Sequence, residues 1–153
     1  MLAIWLDMNL STNQNKINLE LSYTHIWVNH PLHAQVKIDD RIVHYDLSGS
    51  KNVNVSKNIS LDAGKHVLTI KVSQKNEHSV LLDHHNNIKN DSYININELY
   101  IDQINFAKII ESDSQLAQDN KQTVKGTKGI YHNGEWKLQF VTPTYDWLLG
   151  KLL

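Results

Sequence analysis

Apolar and polar residues alternate with a period of two along much of this chain. Ile17, Leu19, Leu21 and Tyr23 alternate with Lys16, Asn18, Glu20 and Ser22. Successive strand side chains point to opposite faces, so such a run buries one face and wets the other. The pattern recurs at Val36 and Ile38, at Val43, Tyr45 and Leu47, at Val53 and Val55 followed by Ile59 and Leu61, and at His66, Leu68, Ile70 and Val72. Turn residues punctuate it. Asp39-Asp40 between alternating runs predicts a hairpin, closed by Gly49. Asp62-Ala63-Gly64 predicts a turn in which Gly64 is free to take positive φ. Ile94 and Ile96 share one parity while Leu99 and Ile101 share the other, which predicts a β-bulge near Asn97-Glu98. Asp102-Gln103 turns the chain before Ile104 and Phe106. Asn133-Gly134, flanked by Ile130-Tyr131 and by Trp136, Leu138 and Phe140, predicts another hairpin.

Trp27 and Val28 form an apolar stretch ending before Pro31, and Val80 to Leu82 is a short one. Residues 83–92 are the most polar loop of the chain. Residues 111–128 read as a long loop or a frayed helical turn. Pro143 ends a strand, and residues 145–153 suit a short terminal helix. The sum is about nine or ten short strands with almost no helix, the pattern of an antiparallel β-sandwich of jelly-roll type with a short C-terminal helix. No repeat of fixed period emerges, so nothing points to a propeller or a solenoid. At 153 residues the chain is one domain, 1–153, long enough to bury a core without staples.

Composition narrows the functions. There are no cysteines, which excludes disulfides, thiolate zinc sites and cysteine nucleophiles. The formal net charge of −1 gives no basic field for nucleic acid or anionic lipid. The 17 asparagines suit turns and strand ends, because a short amide bonds nearby backbone. The bias toward Asn, Lys and Ile is also what an AT-rich genome supplies. The first residues, Met1 to Asp7, carry no basic region and too short an apolar run for a signal peptide, no window reaches a membrane span, and no lipidation motif ends the chain. The expectation is a complete gene product made in the cytosol.

Candidate chemistry centres on polar loops. His25, His30 and His33 bracket a turn, and Asp83-His84-His85 could converge with Asp91 in the polar loop. No HExxH or other recognised metal-ligand spacing occurs, and solvated loop histidines are the simpler reading. No GxSxG elbow, Walker motif or GxGxxG is present, and no glutamate pair stands in a glycosidase-like context. The expectation is no enzyme, no catalytic residue and no resident metal. Exposed Trp and Tyr can stack on sugar rings. Trp27 and Trp136 are expected in the core. Trp5 and Trp147, near the termini, suit a subunit interface.

Two resemblances follow. Val67 to Val72, the polar loop, and Asn97-Glu-Leu-Tyr-Ile-Asp-Gln-Ile-Asn-Phe106 resemble the last third of calcium-dependent xylan-binding carbohydrate-binding modules. Leu99-Tyr-Ile-Asp102 followed by Ile104 matches their final strand. The resemblance implies a loop whose acids and asparagines bind calcium and sugar hydroxyls. Asp83, His84, His85, Asn90 and Asp91 are the glycan-binding candidates here, while Asn95 and Asn97 stand where an acid is expected. Gly129 to Phe140, with Asn133-Gly-x-Trp136, and the ending Pro143-x-Tyr-x-Trp147 resemble the C-terminal part of small β-sandwich proteins of tailed phages. That resemblance implies a virion accessory protein of carbohydrate-module-like fold.

The leading expectation is therefore a non-enzymatic structural protein of a phage particle, located in the virion as capsid decoration or tail component. Its partners would be other virion proteins and copies of itself, met through Trp5, Leu6, Trp147, Leu148 and Leu152. The alternative is a glycan-binding module that recognises a polysaccharide, such as a host-surface glycan, through the Asp83–Asp91 loop. Neither reading involves nucleic acid or membrane.

Overall fold

The computed structural model describes residues 14–152, which form an antiparallel β-sandwich. Trp5 and Leu6 lie outside the described residues. The strands are β1 (Gln14–Ile26), β2 (His33–Ile38), β3 (Arg41–Asp46), β4 (Asn52–Asp62), β5 (Gly64–Ser73), β6 (Val80–Leu82), β7 (Ile88–Asp91), β8 (Tyr93–Ile101), β9 (Ile104–Asn105), β10 (Gln115–Gln118), β11 (Val124–Lys125), β12 (Gly129–Ile130) and β13 (Gly134–Thr142). Among the described residues there are two α-helices, α1 (Ala107–Asp113) and α2 (Thr144–Leu152). One sheet runs β12-β8-β1-β4, with β9 on β8. The other runs β11-β10-β13-β5-β2-β3, and β6 and β7 form a separate hairpin.

The alternation places the core as expected. Ile17, Leu19, Leu21 and Tyr23 of β1 face Val36, Leu68, Ile70, Leu138 and Phe140 of the second sheet's buried face. Trp136 is fully buried and donates its Nε1–H to the Thr127 carbonyl at 2.9 Å. Two polar side chains inside reach partners on other segments. Tyr23 of β1 donates its hydroxyl to Asp46 of β3 at 3.3 Å, and His25 Nε2 accepts from the Leu32 amide at 3.1 Å. Burial raises the Tyr23 pKa, with the Asp46 charge adding to it. Burial lowers that of His25. With Nε2 accepting, the proton of the neutral ring sits on Nδ1.

The turn chemistry holds where side chains act locally. Asp39-Asp40 joins β2 to β3, with Asp39 at φ 54°. Its carboxylate accepts from the Val67 amide at 3.0 Å and contacts His66 Nδ1 at 2.7 Å. Asp102 and Gln103 both take positive φ, 52° and 65°, between β8 and β9. The predicted bulge is present: Ser22 pairs with Glu98 while Tyr23 pairs with Ile96, leaving Asn97 as the extra residue.

Other expectations need correction. Asn133-Gly134 is not a hairpin. Ile130 belongs to β12, paired with β8 in one sheet, and β13 pairs with β5 and β10 in the other, so residues 131–133 cross between layers. Gly134 is required by close approach, since a Cβ there would lie 2.3 Å from the Ala117 carbonyl oxygen. The 111–128 segment, expected as a long loop or a frayed helical turn, begins with the end of α1 and then forms the β10–β11 edge hairpin. Trp27 is not core but 42% exposed, its Nε1–H donated to the Gly49 carbonyl. The terminal helix forms as expected. Leu148 is buried and Trp147 half-buried on the chain's own core, with the Trp147 ring 6.2 Å from Phe106. Lys151 pairs with Asp113 and so ties α2 to α1, and that hydrogen bond holds the Asp113 carboxyl below its ordinary pKa. The apolar side chains expected to dock on a neighbour, Trp147 and Leu148, are thus engaged within the fold. Leu152 is the last residue of α2.

Candidate functional site

The polar segment expected as a loop is a β-hairpin. Val80 pairs with Asp91 and Leu81 with Asn90, and residues 83–87 turn the chain. Asp83 makes that turn. Its Oδ1 accepts from the His85 amide at 2.8 Å and the Asn87 amide at 3.0 Å, which fixes the backbone as short polar side chains do in turns. His84 and His85 project at the exposed tip, ring centroids 4.4 Å apart. Asn90 is exposed on β7, and Asp91 lies at the base. The hairpin therefore holds Asp83 and Asp91 at opposite ends. Asp83, His84 and His85 share the tip, while Asn90 and Asp91 do not join them.

Asp91 has another partner. The Lys75 ammonium lies 2.7 Å from Asp91 Oδ1, donates to the Ser92 carbonyl at 2.8 Å, and donates also to the Tyr131 carbonyl. Three acceptors match the three N–H donors of an ammonium. The Lys75 side chain is only 9% exposed. Next to it, Asn133 grips the Lys75 backbone from both sides, its Oδ1 accepting from Lys75 N and its Nδ2 donating to Lys75 O, each at 2.9 Å. His30 and Asn76 brace the same corner through Ser79. These bonds weld the start of the hairpin to the segment that crosses between sheets. Lys75 and Asn133 carried no short-range signal. Asn133 was legible only as a turn residue.

The carboxylate and two carbonyls around Lys75 are the hard oxygen donors a calcium ion would seek, but the ammonium already fills their centre. Calcium takes roughly six to eight oxygens. Among the described residues no cluster of three or more acidic or histidine side chains could hold a metal. The residues present do not fit calcium.

A groove of about 360 Å³ opens beside this junction. Val80, Ile88 and Asp91 form one wall, and Asp119, Asn120 and His132 the other. It continues past Asp119 and Asn133 into a hollow of about 370 Å³ bordered by Lys71, Ser73 and Glu135. Ile88 is 64% exposed, so the groove joins an apolar strip to amides and carboxylates. His132 is held below its ordinary pKa by burial first, then by Lys121 and Lys75. It is neutral at pH 7, with one ring nitrogen donating and the other accepting. The chemistry on offer is reversible hydrogen bonding to hydroxyls around an apolar strip.

No family model matches the chain, and no curated protein matches it. Its fold is similar to the solved structure of vCBM60, a carbohydrate-binding module, in complex with galactobiose, with a TM-score of 0.50 at 6% identity. The likeness covers 79% of this chain and 96% of that one. It shows a fold of carbohydrate-binding-module type.

Proposed function

We propose that this chain is a non-catalytic glycan-binding module that holds a saccharide in the groove beside the β6–β7 hairpin. The observation that carries the reading is the groove itself. Three segments distant in sequence, 75–91, 119–120 and 132–133, converge there to set amides, a carboxylate and a neutral imidazole around Val80 and Ile88. Sugars present hydroxyl edges and apolar C–H faces, and a site for them needs both kinds of partner. A fold shared with a module solved with galactobiose supports the same ligand class. The site differs from the expected one in its residues: Asp91 acts through Lys75, Asp83 shapes the turn, and His132 and Asn120 face the ligand. Neither the groove nor the solved structure bears on the virion placement expected from the tail resemblance.

Native gel electrophoresis through galactan, xylan or mixed-linkage β-glucan tests the proposal. The chain is expected to be retarded by at least one of these, with no change on adding a chelator, because Lys75 already occupies the oxygen donors. Asn120→Gly, which removes the amide and keeps the positive φ of 57°, and His132→Ala are expected to weaken retention without lowering the urea midpoint. Unretarded migration through all three gels overturns the function.

A further inference from the structure

The two outer faces of the sandwich differ in kind. The β12-β8-β1-β4 sheet carries Asn18, Asn52, Asn54, Asn58, Asn95 and Asn97 in its strands. The strands of the second sheet contain no asparagine and carry Lys37, Lys65, Lys71, Lys125 and Lys137, whereas lysine in the first sheet is limited to Lys16 and Lys57. A lysine solvates a face through a flexible stem and offers donors only. An asparagine holds a donor and an acceptor on a short arm, which suits paired hydroxyls.

Several of these amides are held in place by one another. Asn18 Nδ2 donates to Asn58 Oδ1 at 3.0 Å, Asn97 Nδ2 donates to Thr24 Oγ1 at 2.8 Å, and Asn95 Nδ2 donates to Asn97 Oδ1 at 3.1 Å. Between the locked ends lies a groove of about 240 Å³ lined by Glu20, Ser22, Asn54, Ser56, Glu98 and Tyr100. The polar ends of these six side chains have no hydrogen-bond partner among the described residues. The bulge builds this groove. An unbroken alternation from Ile94 and Ile96 would send Glu98 and Tyr100 into the core, whereas the extra Asn97 turns both outward beside Glu20 and Ser22. Further along the same face, Tyr93 stacks on Tyr131 with centroids 4.7 Å apart, and the Tyr131 ring lies over Gly129, where a Cβ would meet it at 2.7 Å. At about 3.3 Å per residue, Tyr93 and Tyr100 stand roughly 20 Å apart, long enough for several sugar residues of an extended chain.

We propose that this asparagine-rich sheet face, from Tyr100 and Glu20 to the Tyr93–Tyr131 pair, is a second contact surface that binds an extended, neutral polysaccharide. Neutrality follows from Glu20 and Glu98, which accept from hydroxyls and repel uronates or sulfates. The proposal rests on the glycan-binding reading above but uses different residues, so the two can fail separately.

The test compares retention of the full chain on galactan, xylan, β-glucan and polygalacturonate, with sedimentation velocity alongside. Tyr100→Ala is expected to weaken retention on the preferred neutral polymer about fivefold, the scale of one lost aromatic contact. Asn54→Arg, which fills the groove and pairs with the carboxylates, is expected to weaken it further. Both side chains point outward, and the urea midpoint should not move. If both variants are retained like the wild type while Asn120→Gly and His132→Ala are not, the sheet-face proposal is overturned and the hairpin groove stands. Preference for polygalacturonate overturns it. So does a change in sedimentation coefficient with Tyr100→Ala, which would make this face a contact between copies. If the wild type is retained by no polymer, both readings fall.

Discussion

The Lys75–Asp91 junction yields the sharpest test of how the hairpin is held. Lys75→Met removes an ammonium that serves one carboxylate and two carbonyls from a position only 9% exposed. Asp91, 21% exposed, keeps the Ser92 amide as a donor at 2.8 Å and can recover some water. The Ser92 and Tyr131 carbonyls lose their charged donor. Asp91→Asn leaves the opposite problem, a nearly buried ammonium with neutral partners alone. Removing one member of a buried pair costs about 3–5 kcal/mol, most of it the penalty of the group left behind. Partial exposure of Asp91 puts both single substitutions toward the lower end, about 3 kcal/mol each. In the double variant no charge is stranded, so its cost should be close to that of either single change, a coupling of about 2–3 kcal/mol. Urea unfolding of the wild type and the three variants, at constant m, measures this. Strictly additive single costs, with coupling below about 0.5 kcal/mol, would refute the argument, because they would mean that water and not the partner solvates each group.

Stability should peak near pH 6.5, the ordinary imidazole value. Burial lowers the His25 pKa, so stability falls as the pH drops from that value through the folded one. In His66, burial alone would lower the pKa, but the hydrogen bond to Asp39 and the Asp62 carbonyl outweigh it and raise the value, so stability falls as the pH climbs through it. Urea midpoints from pH 5 to 8 should show a maximum, and Asp39→Asn should flatten its alkaline side; a steady rise would contradict the assignment. Gly134→Ala forces a Cβ against the Ala117 carbonyl and should cost about 1–3 kcal/mol or more by the same assay. Gly129→Ala should displace the Tyr131 ring, a movable neighbour, lowering glycan retention with little loss of stability. Trp27→Phe loses one exposed hydrogen bond to Gly49 and should change the urea midpoint by less than about 1 kcal/mol.

Local chemistry made much of the fold legible. Period-two burial in β1, β4 and β5, the Asp39-Asp40 and Asp102-Gln103 turns and the Asn97 bulge are each decided within a few residues, by side-chain alternation or by a residue that tolerates positive φ. What failed was decided at long range. Asn133-Gly134 has the composition of a tight turn, yet the asparagine serves Lys75, 58 positions away, and the glycine makes room for Ala117. Trp27 has the hydrophobicity of a core residue, but the Gly49 carbonyl that holds it outside is 22 residues on. The hairpin at residues 80–91 was hidden in the same way. The nearness of Asp83 and Asp91 in sequence is visible, whereas the partners that engage them, a turn backbone and Lys75, depend on a pairing that the polar composition concealed.

The asparagine excess admits two explanations, coding bias and chemistry, and topology separates them. A nucleotide bias acts along the gene and supplies Asn and Lys together, without regard to which strands later pair. The strands of the amide-bearing sheet are interleaved in sequence with those of the other: β1 and β4 flank β2 and β3, and β8 follows β5. A bias blind to three-dimensional neighbours would scatter both residues over both sheets. Lysine is so scattered, with Lys16 and Lys57 in the amide-bearing sheet, but of the two sheets only that one carries asparagine, and there its amides bond across strands, Asn18 to Asn58 and Asn97 to Thr24, over separations of 40 and 73 residues. Genome composition can explain why the chain is rich in asparagine. It cannot explain which face received them, and that choice marks the face as one whose short, donor–acceptor side chains matter after folding.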